Sequence, residues 1–181
     1  KNGESRLFDE KKADEIIAAI KDKKATIKAV DKKLKKNYPD KLYDLTTLQR
    51  DAFNRYGYSP KMTLSFMQQL YEQHKALTYP RTDSRYLTQD IVSSIGERLK
   101  AIQINPYRKF AYGILKSPIR GSKSFVDDSK VSDHHAIIPT EESVSANELS
   151  FDERRIYEMV VKRFLEVLMP PSEYEETKMI V

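Results

Sequence analysis

The chain has 181 residues, enough for one domain or for one domain and part of another. It has no Cys and only three His, with no His-Glu-x-x-His spacing, which excludes disulfides, thiolate metal sites, a Cys nucleophile and a helix-borne zinc motif. No apolar run approaches the ~20 residues of a membrane span. The formal charge of +5 is unevenly spread: residues 46–123 carry 13 Lys/Arg against 5 Asp/Glu, and residues 124–181 carry 6 against 13. A basic central block suits a polyanionic partner, although a solvated surface explains the same composition.

In chain order, Asp9 caps a predicted helix over 9–22, with Ala13, Ile16, Ile17 and Ile20 at helical spacing. A strand with a basic face is predicted over 25–34, from Thr26, Ile27, Val30 and Leu34 among lysines. Tyr38-Pro39-Asp40 reads as a turn. Thr46 or Thr47 caps a helix running through Tyr56 to a stop at Gly57, and Ser59-Pro60 opens a helix over 60–74. Pro80 biases Tyr79 towards extended backbone. Thr88 caps a helix to about Ala101, Asn105-Pro106 starts a short one, and residues 117–133 read as a long loop of the functional or mobile kind. Ser150-Phe-Asp-Glu153 is a capping box for a helix to about Leu168, ended by Pro170-Pro171, with a strand over 174–181.

The expected fold is α+β and predominantly helical. Residues 1–45 are assigned to part of a β-rich arch or hinge, 46–169 to a helical domain, and 170–181 to a return strand. Lys1 at the start and an apolar run at Val181 suggest a piece of a longer polypeptide.

Three stretches carry possible chemistry. In Leu77–Tyr86, Tyr79 and Arg81 face one point if the backbone is extended, since i and i+2 share a side. A guanidinium there could clamp a phosphate and favour a phenolate, but most tyrosines simply pack. In Ser132–Thr140, the pair His134-His135 beside Asp133 could bind phosphate, shuttle protons, ligate a metal or only bond a strand end, and without Cys or further carboxylates in register the metal is disfavoured. In Leu45–Ala52, hydroxyls and free amides at a helix start suit a phosphate as well as they suit a plain cap.

Taken in order, Leu42–Ala52, Leu77–Leu87 and Asp133–Thr140 (Asp-His-His-Ala-Ile-Ile-Pro-Thr) resemble the type IA DNA topoisomerases, and most closely their bacterial topoisomerase III branch. The resemblance implies that Tyr79 attacks a single-stranded DNA phosphodiester and becomes linked to the 5′ phosphate. It implies that Arg81 positions the tyrosine and phosphate, and that His134 supports the phosphate. Thr46, Thr47, Gln49, Arg50, Asp83, Ser84, Arg85 and His135 are then expected DNA contacts, Asp83 with an orienting part. In such enzymes the tyrosine-bearing helical domain lifts as a gate and no ATP is needed. Mg²⁺ is expected in the full-length enzyme, at a Toprim domain whose Asp-x-Asp motif this chain lacks.

The partners expected are single-stranded DNA and the Toprim and arch domains of the same polypeptide, with no membrane. The expected location is cytoplasmic, with the bacterial nucleoid, and the 181 residues are expected to be inactive alone. The competing reading is a non-catalytic basic helical module that stacks single-stranded nucleic acid on Tyr56, Tyr58, Tyr71, Tyr79 and Tyr86 among Arg50, Arg55, Arg81 and Arg85. A purely structural interaction domain is a third.

Overall fold

A computed structural model of the chain describes residues 7–180. Six α-helices and one two-stranded sheet are found among them: α1 (Glu10–Ile20), β1 (Ala29–Asn37), α2 (Leu45–Tyr56), α3 (Pro60–Glu72), α4 (Ile95–Ala101), α5 (Tyr107–Ile114), α6 (Phe151–Leu168) and β2 (Ser172–Ile180). The α+β, mainly helical class expected from sequence is the one observed. The backbone divides into two compact units. One comprises the described parts of residues 1–36 and 173–181, the other Asn37–Ser172.

In the smaller unit, Asp9 caps α1 by accepting from the Lys12 amide. Ile16, Ile17 and Ile20, on the apolar face expected for this helix, are exposed. One short helix and a two-stranded ribbon do not build two layers around a core. β1 begins about four residues later than predicted. Its extent follows its partner: the Lys28 amide donates to the Ile180 carbonyl, and Lys32, Lys35 and Lys36 pair with Glu175, Glu176 and Glu173 at 2.9 Å each.

In the larger unit, α6 packs against α3 and α5, while α2 packs on α3 and α4 on α5. The reciprocal Ser150–Glu153 box opens α6 as predicted, and α6 buries Ile156, Tyr157, Val160, Val161 and Phe164. Such a cap stabilises by ~1 kcal/mol. Ser59 and Pro60 open α3 as expected. The cap of α2 differs from the Thr46/Thr47 expectation. Asp44 is the N-cap, and Thr47 is its N3 partner in a capping box. Gly57 closes the helix at φ 73°, a left-handed conformation that costs glycine little.

The predicted helix from Thr88 is broken into a 3-10 turn over Asp90–Ser94 and the shorter α4. The segment 117–133 is not a free loop. Phe125 and Val126 are buried, the Leu87 amide donates to Phe125, and the Asp127 amide returns a bond to Leu87. Two apolar side chains buried in the core anchor what composition alone marks as mobile.

Candidate active site

The three stretches singled out in the sequence meet in space through backbone hydrogen bonds. Thr78 donates its amide to Ile138 (3.0 Å), and the Thr140 amide donates to Ala76 (3.1 Å). The Ala136 amide donates to Tyr86, the Ile137 amide to Tyr43, and the Leu45 amide to Thr82. Residues 43–45, 76–87 and 136–140 therefore form one stitched spine without belonging to a regular sheet. Buried amides demand partners, and here each strand-like stretch satisfies the others.

Tyr79 leaves this spine half-buried, with its ring centroid 4.4 Å from that of His134. Tyr71 of α3 meets it edge-on, with ring centroids 5.4 Å apart. Tyr79 and His134 line a cleft of about 330 Å³ with Thr78, Thr88, Asp90 and His135. The Tyr79 hydroxyl and the His134 ring make no protein hydrogen bond among the described residues. Two aromatic neighbours thus restrict the Tyr79 ring.

Thr82 sets the histidine. Its hydroxyl donates to the His134 carbonyl at 2.8 Å and accepts from the Ser84 amide. His135 turns inward, with Nδ1 at 2.7 Å from the Ala136 carbonyl. A carbonyl only accepts, so Nδ1 carries the proton and Nε2 stays an acceptor. Burial pushes the His135 pKa down, outweighing the raising effect of that bond. The buried Arg98 braces the far end of the segment, donating to the Pro139 carbonyl at 2.9 Å and pairing with Glu141 at 2.8 Å.

Several expected site residues lie elsewhere. Arg81 is exposed and is not among the residues lining the cleft, and the backbone bends at Pro80 between it and Tyr79. It makes no ion pair among the described residues, and Asp83 is likewise exposed and unpaired there. Ser84 is 4% exposed, with its hydroxyl spent on the Lys130 carbonyl at 2.8 Å, so it faces the interior rather than a DNA strand. Arg85 donates to the carbonyls of Leu42 and Lys41.

The α2 start does not present an open phosphate seat. The Thr47 amide is bound by the Asp44 carboxylate at 2.7 Å, Leu45 donates to Thr82, and Thr47 itself is buried. A carboxylate already occupies the position that an anion would take. Gln49 donates to the Pro60 carbonyl, leaving Thr46 and Arg50 as the exposed members of that group. Sequence reasoning named Tyr71 only as a stacking platform, and it missed Thr82 and Arg98. Thr82 sat inside the quoted motif, whereas nothing local marked Arg98.

No group of three or more His, Asp or Glu able to hold a metal occurs among the described residues. Among the described residues no helix is long and apolar enough to cross a membrane.

The profile of the DNA topoisomerase family matches residues 1–181. DNA topoisomerase 3 of Bacillus cereus is 57% identical over 175 residues, covering 97% of this chain and 24% of that protein. DNA topoisomerase 3 of Bacillus subtilis is 48% identical over 180 residues, covering 99% and 25%. The structure of full-length topoisomerase I from Thermotoga maritima superposes with a TM-score of 0.66 at 26% identity, covering 99% of this chain and 28% of that one. The chain thus spans about a quarter of the length of the curated relatives it matches.

Proposed function

The chain belongs to the DNA topoisomerase family across its whole length, and we propose that it carries the nucleophile of a type IA reaction on single-stranded DNA. The observation that carries this reading is Tyr79: a partly exposed tyrosine at the mouth of a polar cleft, with the His134 ring at 4.4 Å.

In the proposed step the Tyr79 Oη attacks phosphorus. A tyrosyl O–P bond forms and the bond from phosphorus to the 3′ oxygen breaks. The phenol gives up its proton, and the departing 3′ oxygen takes one up. The product is a 5′-phosphotyrosyl linkage beside a free 3′ hydroxyl. The linkage retains the energy of the phosphodiester, so attack by the 3′ hydroxyl restores the strand without ATP. An ordinary tyrosine titrates near ~10, so the phenol must lose its proton at the moment of attack. His134 is the group at hand to hold the phosphate oxygens there. Arg81, exposed and without an ion pair, is a guanidinium that can reach a strand laid across the segment.

The proposed role of the helical unit is that of a gate through which a second strand passes once the first is cut. Mg²⁺ and the acid groups are assigned to the part of the enzyme that this chain does not span, in a cytoplasmic protein. On this reading the 181 residues do not cleave DNA alone, because phosphoryl transfer depends on charge stabilisation as well as on a nucleophile.

The test is a chimera in which this chain replaces the matched segment of a Bacillus relative. Incubated with a labelled single-stranded oligonucleotide, it should give an adduct that survives denaturation. The isolated chain should give none, and cleavage by the isolated chain would overturn the division of labour.

A further inference from the structure

Ile114, Pro118, Ile119, Arg120, Phe125 and Leu168 line a cleft of about 250 Å³ between the end of α5, the segment after it and the end of α6. A second cleft of about 330 Å³ shares Arg120, Phe125 and Leu168 and continues past Val167, Met169, Pro170 and Pro171. The two join as one groove, and none of these residues lines the Tyr79 cleft. Its lining is mainly aliphatic and proline, with Phe125 and Val167 buried beneath and Met169 exposed at 43%.

The walls are already held. The Lys116 amide donates to Gly113 and the Ser117 amide to Ile114, which tightens the end of α5. The Phe125 and Val126 amides both donate to the Ser122 carbonyl. Gly121 packs so closely that a Cβ there would meet Val92 Cγ2 at 3.2 Å. A groove whose walls need no ordering keeps the entropic cost of binding low.

The chain around this groove is cationic. Residues 98–126 carry seven Lys/Arg and no Asp/Glu. Arg98 pairs with Glu141 and Lys100 with Glu97. Arg108, Lys109, Lys116, Arg120 and Lys123 are exposed and pair with no carboxylate among the described residues. Arg120 lines both clefts, whereas Asp40, a carboxylate at the second, lies 3.7 Å from Arg163.

We propose that this groove docks an extended peptide segment of a partner protein, one in which Asp or Glu alternates with aliphatic residues. An extended peptide presents successive side chains to opposite sides. Aliphatic side chains then enter the groove while carboxylates meet Arg120 and the cations flanking it. A guanidinium holds a carboxylate through two parallel donors. Single-stranded nucleic acid suits the groove less well, because bases stack on open aromatic faces. Phe125 is only 2% exposed, and Tyr38 is the one exposed ring, at one end. Nothing in this recognition depends on Tyr79.

The experiment selects binders to the 181-residue chain from a library of displayed random peptides, then measures the enriched peptides by fluorescence anisotropy. The enriched sequences should combine Asp or Glu with Leu, Ile or Val. Arg120→Glu should weaken them by about tenfold or more, the scale of one hydrogen bond to a charged group. Arg120→Lys should recover part of the loss, and Met169→Gln should weaken binding several-fold. Lys61→Gln, an exposed lysine on α3, should leave it unchanged. All four positions are exposed, so folding is not at stake.

Enrichment without acidic residues, or binding unmoved by both Arg120→Glu and Met169→Gln, overturns the site. If a single-stranded deoxyoligonucleotide displaces the peptides and its own affinity falls in Arg120→Glu, the groove is a nucleic-acid contact and the peptide assignment falls. If the chain binds the peptides but the chimera does not, the remainder of the same polypeptide covers the groove and the partner assignment falls.

Discussion

Tyr79 and His134, far apart in the chain, lie with ring centroids 4.4 Å apart and planes inclined at 46°. The contact exists because Thr78 binds Ile138 and Thr82 binds the His134 carbonyl, which brings the two segments edge to edge. His134 is exposed, so its side chain adds little to stability. His134→Ala in the chimera should lower the rate of adduct formation by about 100-fold, the scale of losing one donor to a reacting oxyanion. Its thermal midpoint should match that of the wild type. Rate measurements under single-turnover conditions, alongside thermal unfolding, separate the two effects.

His135 should behave differently from its neighbour. Burial lowers its pKa, so between its native value and the ordinary ~6.5 the unfolded chain binds the extra proton. The stability it supports is complete above about pH 6.5 and is lost as pH falls through the lower native value. Titration of its ring protons by NMR should give a midpoint below ~6.5. In His135→Asn, whose amide can still donate to Ala136, this part of the pH dependence should vanish.

Arg163 ties α6 to the start of α2. Its guanidinium donates to the Lys41 carbonyl and to the Tyr43 hydroxyl, sits 3.3 Å from Asp51, and lies over the Tyr43 ring at 4.2 Å. Tyr43 in turn donates to Asp51 at 3.0 Å. Arg163→Met keeps much of the volume and strands these acceptors. Urea unfolding should show a loss of about 2 kcal/mol, the scale of hydrogen bonds to a charged group.

Gly57 stops α2 at φ 73°, and a Cβ there would meet nothing within 4 Å. The cost of Gly57→Ala is therefore purely conformational, about 1–2 kcal/mol. Gly57→Asn should cost less, because asparagine tolerates the left-handed region. Equal losses for the two variants in chemical unfolding would show that packing, not backbone conformation, governs the site.

The features legible in the sequence were those fixed within a few residues. Ser150 and Glu153 cap α6 reciprocally at a separation of three, and Ser59-Pro60 opens α3 in the same local manner. The cap of α2 was misplaced because Asp44, Thr46 and Thr47 all carry capping oxygens within one turn. The reciprocal Asp44–Thr47 box sets where the helix begins, and the tertiary bond from Leu45 to Thr82 accompanies it. β1 slid because its register depends on β2, at the other end of the described chain.

At the site, motif membership identified which residues gather but not where they point. Tyr79 and His134 meet, whereas Ser84, from the same motif, is turned inward onto Lys130. Arg81 was expected beside Tyr79; it is exposed and does not line the cleft, and sequence spacing across Pro80 does not fix its direction. Arg98 and Arg163 were invisible, since each acts on backbone carbonyls that only the fold brings within reach.

The most direct test of the central claim is the identity of the residue linked to DNA. The chimera is incubated with a single-stranded oligonucleotide labelled on the 3′ side of the cut, denatured, digested and sequenced by mass spectrometry. The account predicts a 5′-phosphate on Tyr79 and no adduct in Tyr79→Phe, which keeps the ring packing against Tyr71 and His134. An adduct on another residue, or one undiminished in Tyr79→Phe, would contradict it.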